Sequence, residues 1–292
     1  MMVLAHNEAD HIVACLDSLY AAEPGTPLTV FVIANGCTDE TERLVAEYAK
    51  RHPGVHLVSI AMGDKCNAWN VFIHEVIPNS APDREAYFFM DGDARITPRA
   101  MTELARALKE NPDAFAAAAL PVTGRSMKHD RRKMLDGREL VANLYALSGP
   151  FVRHLQDKGV RLPLGLEGDD GLLGALVKWN LNPGREWDDR RIVPCLSAGF
   201  AFESMSWVRP RDWRVYWRRR IRYGRRHFEF ELLGPRLKQE GIQAMPKDIR
   251  ELYKFSGDCR LRWRGIQTIF DWLALKQLRT WVTHDEARAR LA

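Results

Sequence analysis

An α/β fold, with a mostly parallel sheet flanked by helices and a helical C-terminal extension, is predicted by three features of this 292-residue chain. Apolar runs alternate with helical repeats in βαβαβαβ order over the first ~110 residues. Leu28 to Ala34 is almost continuously apolar, the pattern of a parallel strand buried on both faces. From Trp207 onward the composition changes to Trp and Arg at helical spacing. These features divide the chain into a first domain over 1–205, with halves 1–110 and 111–205, and an extension over 206–292.

The elements are justified in order. Met1 to Leu4 is a short apolar strand, and Ala5-His6-Asn7-Glu8-Ala9-Asp10 is a polar turn after it. Ile12, Leu16 and Leu19 repeat at helical spacing. The strand ending at Ala34 leads into Asn35-Gly36-Cys37-Thr38-Asp39, where Asp39 with Glu42 predicts a capped helix carrying Leu44, Val45 and Tyr48. Val55 to Ile60 reads as a strand, Lys65 to Ile77 as a helix, and Ala86 to Met90 as the next strand. Thr97 is the expected cap of a helix with Pro98 in its first turn and Met101, Leu104 and Leu108 on one face. Ala114 to Leu120 is a further strand, Gly124 to Pro163 shows no readable pattern, and Ile192 to Phe202 is expected to return as an edge strand.

Composition restricts the class. The sequence holds 43 Lys and Arg against 38 Asp and Glu, a net charge of +5, and nine arginines fall between Trp207 and Arg226. Such a cluster suits a phosphate-bearing substrate, an anionic membrane surface or nucleic acid. The five cysteines are odd in number, widely spaced and without a CxxC, which predicts reduced thiols in a cytosolic protein. No apolar run approaches the ~20 residues that span a bilayer, and no charged-then-apolar leader is seen, so a cytoplasmic location is expected, including the inner membrane face.

The chemistry centres on Asp91-Gly92-Asp93, two carboxylates at the carboxyl end of a predicted strand. That edge binds ligands in open α/β sheets, and two carboxylates there can hold a hard divalent cation and, through it, a diphosphate. About one Asp-x-Asp is expected by chance in such a chain, so the neighbours decide its meaning.

Those neighbours carry a resemblance. Ala5-His6-Asn7-Glu8 resembles a first-strand P-x-x-N-E turn, Asn35-Gly36-Cys37-Thr38-Asp39-Glu40-Thr41 a D-G-S-T-D-x-T loop, and Lys65-Cys66-Asn67-Ala68-Trp69-Asn70 a K-x-x-A-x-N segment. Asp91-Gly92-Asp93 stands as a DxD, Asp169-Asp170-Gly171-Leu172-Leu173 is similar to E-D-x-x-L, and Arg219-Arg220-Ile221-Arg222-Tyr223 to Q/R-x-x-R-W/Y. In this order the six motifs resemble glycosyltransferase family 2, inverting transferases with a GT-A fold. Ala34-Asn35 departs from the family's acidic pair near the nucleobase. Arg219 and Tyr223 replace the Gln and Trp of the processive polymerases, which favours transfer of a single sugar.

The resemblance implies a UDP- or GDP-type nucleoside-diphosphate sugar donor, a hydroxyl acceptor that is lipid-linked or a glycan, and Mn²⁺ or Mg²⁺. It assigns the donor half to 1–110 and the acceptor half to 111–205. Asp93 is expected as the principal metal ligand, with Asp91 nearer the ribose or a metal-bound water. Ala5, Asn7, Glu8, Asn35, Asp39 and Lys65 are expected donor contacts, with turn formation or helix capping as the alternative for Asn7, Glu8 and Asp39. An inverting displacement needs a base for the acceptor proton, and Asp170 is the candidate, tuned by Asp169 or Glu167. Acids this close raise one another's pKa.

Arg219 and Arg222 share a helical face and are expected to hold the diphosphate, with Arg225 or Arg226 nearby. His227 is read as structural, with a metal or phosphate contact as the alternative, and Trp207, Trp213 and Trp217 as packing residues, with sugar stacking as the alternative. The last stretch, Leu261 to Trp281, carries apolar residues with basic flanks, which suits either docking on the first domain or an anionic membrane. A pyrophosphorylase would need a Gly-rich loop after the first strand, which Ala5-His6-Asn7-Glu8 is not. A non-catalytic protein binding nucleic acid or a partner through Trp207 to Arg226 leaves the carboxylates without a role, and no nucleic-acid partner is expected.

Overall fold

The computed structural model describes residues 1–80, 83–203 and 210–289. The chain forms two compact units, Met1–Arg161 with Asp169–Leu181 and Arg185–Ser204, and Leu162–Gly168 with Asn182–Gly184 and Met205–Ala292.

The first unit is built on β1 (Met2–Ala5), α1 (Ile12–Ala22), β2 (Val30–Asn35), α2 (Thr41–Arg51) and β3 (Val55–Ile60). Next, α3 (Lys65–Val71) runs through a π turn, Phe72–Val76, into α4 (Ile77–Ser80) and then β4 (Ala86–Asp91). The chain continues with β5 (Arg95–Ile96), α5 (Ala100–Glu110), β6 (Ala116–Pro121), α6 (Met127–Gly137), β7 (Leu144–Ser148), α7 (Gly149–Asp157), α8 (Asp169–Lys178) and β8 (Ile192–Ala201). The sheet order is β3-β2-β1-β4-β7-β6-β8-β5.

The first four strands are parallel, which is why β2 is buried along its whole length. Beyond β4 the sheet turns mixed, because β7 runs antiparallel to both β4 and β6 while β6 and β8 are parallel. On α1, Ile12, Cys15, Leu16, Leu19 and Ala22 are buried at spacings of three and four, and they join Val3, Val32 and Met90 in one core. Gly92 lets the chain leave β4 flush against β1: its N–H donates to Leu4 O at 2.7 Å, and a Cβ there would stand 2.9 Å from that oxygen.

Two expectations are corrected, and one unread segment is filled. Ile192 to Phe202 is not an edge strand, since β5 pairs with Phe200 and Ala201 and makes the edge itself. Thr97 does not cap α5: the cap position is Arg99 in the left-handed region, and the Thr97 hydroxyl exchanges hydrogen bonds with the Gly199 backbone. The segment without a readable pattern holds β7, a strand central to the sheet.

The second unit is helical. Its long helix α9 (Pro210–Glu240) packs against α10 (Gln267–Ala289), the two approaching closely where Gly224 meets Ala274 and Asp271. Phe228, Leu233 and Leu237 of α9 are buried with Phe270, Ala274, Leu275 and Leu278 of α10. Among the described residues, no helix is long and apolar enough to cross a membrane.

Candidate active site

The carboxyl ends of β1, β2 and β4 gather the first unit's candidate residues. The turn after β1 is pinned to the loop after β2 by side chains. Asn7, in the left-handed region, accepts from the Thr38 N–H at 2.8 Å, and Glu8 N–H donates to Thr41 Oγ1 at 2.8 Å. Asp39 accepts from the Ala9 N–H at 3.0 Å and from the Thr41 hydroxyl at 2.6 Å. It thus ties two loops together ahead of α2, whose cap position is Glu40. Ala5 is buried, and its carbonyl accepts from Cys37 Sγ at 3.5 Å.

Asn35 works through its neighbour. It is buried, and its side-chain oxygen accepts the Asp64 N–H at 2.9 Å. Asp64 in turn caps α3 by accepting the Asn67 N–H at 2.8 Å. The cap aims Lys65, the first residue of α3, at the sheet edge. Its ammonium donates to Asp91 Oδ1 at 2.9 Å and lies 3.8 Å from Asp169 Oδ2. The first turn of α3 therefore already holds a carboxylate, and Lys65 already holds two.

Charge at this edge is unbalanced toward the acids. Burial, then Asp93 and Asp91, push the Glu8 carboxyl up to about 7. Burial followed by Asp91 raises Asp93. Asp169 is raised by burial and by Asp170 and Asp91, against the opposing pull of Lys65. Burial acts against the Lys65 charge, yet Asp169, Asp91 and Asp170 outweigh it and raise its pKa. Asp170, at the start of α8, accepts the Gly171 N–H at 2.8 Å.

Two residues that sequence reasoning missed complete this edge. Tyr145 of β7 stacks on Phe89 with ring centres 4.8 Å apart, and its hydroxyl accepts from Trp69 Nε1 at 3.1 Å. Both border a cavity of about 20 Å³ lined by Leu4, Lys65, Asp91 and Asp169, room for about one water. The missed signal was an aromatic in a short apolar run, Leu144 to Leu147, inside a basic segment.

Hard oxygen donors suit Mg²⁺ or Mn²⁺, and the upward shifts of Glu8 and Asp93 mark negative charge that a cation would relieve. Among the described residues, no group of three or more His, Cys, Asp or Glu side chains is arranged to hold a metal by itself.

The remaining candidates belong to the second unit. Arg219 Nε donates to Tyr223 at 2.7 Å, and Arg222 Nε donates to Glu167 at 2.7 Å. Arg225 also pairs with Glu167, and the Glu167 N–H donates to the buried Glu229 at 2.8 Å. His227 lies tilted beside Phe228. Trp213 and Trp217 are both more than half exposed, and Trp217 packs edge-on to Phe270 as expected of a packing residue. They lie where α9 is exposed on nearly all sides. Trp207 lies outside the described residues.

The parallel half of the sheet thus gathers Asp91, Asp93, Glu8 and Lys65 at its carboxyl edge, with Asp169 of α8 beside Lys65. Residues 1–158 match the glycosyl transferase family 2 profile, and the chain belongs to that family; it is a glycosyltransferase. The fold is GT-A, shared with a mannosyltransferase from Pyrobaculum calidifontis in complex with GDP-Man and Mn²⁺, at 20% identity and TM-score 0.58 over 97% of this chain and 82% of that one. It is shared too with Mycobacterium tuberculosis glucosyl-3-phosphoglycerate synthase in complex with Mn²⁺, UDP-glucose and phosphoglyceric acid, at 17% identity and TM-score 0.52, covering 83% and 78%. Residues 1–349 of Staphylococcus aureus TarS match at 17% identity and TM-score 0.50, covering 100% and 91%. No curated protein matches the sequence.

Proposed function

We propose that the chain moves a single sugar from a UDP- or GDP-type sugar to a hydroxyl acceptor, lipid-linked or glycan, by one inverting displacement. The observation that carries this reading is the Lys65 ammonium lying within 4 Å of carboxylates from both β4 and α8. One cation thereby joins the carboxylates suited to the donor diphosphate to those suited to the acceptor.

Asp93, with Asp91 beside it, would hold the divalent ion, which as a Lewis acid would supply charge stabilisation to the departing diphosphate. Glu8, whose carboxyl is pushed up to about 7 by burial and by Asp93 and Asp91, would regain its charge beside such an ion. Lys65 keeps Asp91 oriented and, as a cation at the head of α3, contributes to holding the phosphates. Ala5, Asn7, Asn35 and Asp39 shape the donor loops.

Asp170 is the proposed base. It takes the proton of the acceptor hydroxyl as that oxygen bonds to the anomeric carbon. The bond from that carbon to the diphosphate oxygen breaks, and its electron pair leaves with the diphosphate. Asp169, raised in pKa by burial and by Asp170 and Asp91 against the pull of Lys65, stands next to the base. The domain division proposed for this reading is 1–205 for catalysis and 206–292 for the extension.

The test is a thermal-stability panel of nucleoside diphosphates and their sugars with and without Mn²⁺. A true donor raises Tm by several degrees, as ligand bound only to the folded state must. The shift should require the metal and vanish in Asp93→Ala, and Asp170→Asn should keep the shift while losing transfer. No shift with any nucleotide, or normal transfer by Asp93→Ala, would sink the proposal.

A further inference from the structure

The second unit concentrates exposed apolar side chains on one stretch. Trp263 is 86% exposed and Ile266 71%. Ile269 and Trp272 follow at steps of three on α10, also exposed, while Phe270, Ala274, Leu275 and Leu278 on the opposite side are buried. A surface helix ordinarily turns polar residues outward. On the first two turns of α10 it is Ile269 and Trp272 that face outward while Gln267 and Asp271 are buried, and apolar exposure concentrated in this way marks an interaction site.

The charge around the patch has one sign. Arg260, Arg262, Arg264, Lys276 and Arg279 are exposed in the same stretch. Between Arg260 and Trp281 the sequence holds a single acid, Asp271, which is buried at 1% exposure and accepts from Arg264 at 3.2 Å and Gln267 at 2.9 Å. Lys276 Nζ stands 5.7 Å from the centre of the Trp272 ring, so cation and aromatic present one face. On α9, Trp217 meets Phe270 edge-on, and residues 213–228 contain no Asp or Glu.

The occupant must serve both properties. A second copy of this face would bring cation against cation. Nucleic acid would satisfy the cations and stack on tryptophan, but Leu261, Ile266 and Ile269 gain nothing from a phosphate backbone. A bilayer with anionic headgroups satisfies the whole set, since aromatic and aliphatic side chains enter the interface while Arg and Lys meet the phosphates.

We infer that the surface from Leu261 to Arg279 docks this protein on an anionic lipid bilayer, with Trp263 and Ile266 entering the interfacial layer and α10 lying along it. This goes beyond the sugar-transfer reading and does not depend on it, because vesicle binding is measured without substrate.

The experiment floats the full chain with vesicles of phosphatidylcholine alone or with phosphatidylglycerol added, following tryptophan fluorescence. Binding to the anionic vesicles with a blue shift is expected, weakened by added salt. The Trp263→Ser/Ile266→Ser variant should lose at least about tenfold in vesicle affinity, since two large apolar side chains no longer leave water. Its Tm should stay unchanged, because both positions are exposed. Absence of binding to anionic vesicles, equal binding by the variant, or tighter binding to single-stranded or duplex nucleic acid than to vesicles overturns the proposal.

Discussion

Lys65 Nζ donates to Asp91 Oδ1 at 2.9 Å, tying the first residue of α3 to the last residue of β4 across 26 positions of sequence. The pair is partly buried, with the lysine side chain 35% exposed, and Asp169 shares the same ammonium. Taking away the cation leaves Asp91 and Asp169 facing each other uncompensated.

Lys65→Met should therefore cost on the order of 1–2 kcal/mol in stability, the price of leaving a charged hydrogen-bonding group without its partner. Chemical denaturation reads it. Transfer should fall by much more than stability does, and Lys65→Arg should recover most of the stability. Unchanged stability in Lys65→Met would show that the ion pair contributes nothing.

Asn35→Ala removes the buried acceptor of the Asp64 N–H and with it the support of the α3 cap. The expected loss is about 1–3 kcal/mol, that of a buried donor left unsatisfied. Amide hydrogen exchange should rise first in the opening turn of α3. Faster exchange confined to β2, with α3 unaffected, would contradict the Asn35–Asp64 link.

Glu229 gives a pH dependence with a definite sign. It is fully buried, and burial raises its carboxyl to about 7, while the Tyr253 hydroxyl at 2.6 Å and the Glu167 N–H pull the other way. A carboxyl raised from about 4.5 to about 7 on folding is protonated in the native state where the unfolded chain has lost the proton. Stability should fall as pH rises through that window. The Tm should decline from pH 5 to pH 8, and Glu229→Gln should flatten the decline while lowering Tm at pH 5. An equal slope in both proteins would assign the dependence elsewhere.

Much of the donor half was legible because parallel strands buried on both faces are written as unbroken apolar runs. β2 and β4 lie within a residue or two of their expected bounds, and Val55 to Ile60, the half-exposed edge strand β3, is observed with the bounds expected of it. β7 and β5 were not legible. Leu144–Ser148 is short and pairs with β4 and, across α6, with β6, so nothing local marks it as central. Arg95–Ile96 is a strand only because Phe200 and Ala201 come to meet it. Thr97 looked like a cap by local chemistry, but the Gly199 backbone claimed its hydroxyl.

The sequence by itself determined the alternating architecture, the family, and the carboxylates at the end of β4, because periodicity and motif spacing are local properties of the chain. Only the tertiary structure decided who answers those charges. It put Lys65 between Asp91 and Asp169, gave Asn35 to the Asp64 backbone, set Tyr145 beside Trp69, and left Trp263 and Ile266 uncovered in their unit. The reason is physical: burial and charge pairing depend on neighbours through space, and residues 26 to 104 positions apart become neighbours only when the sheet has formed.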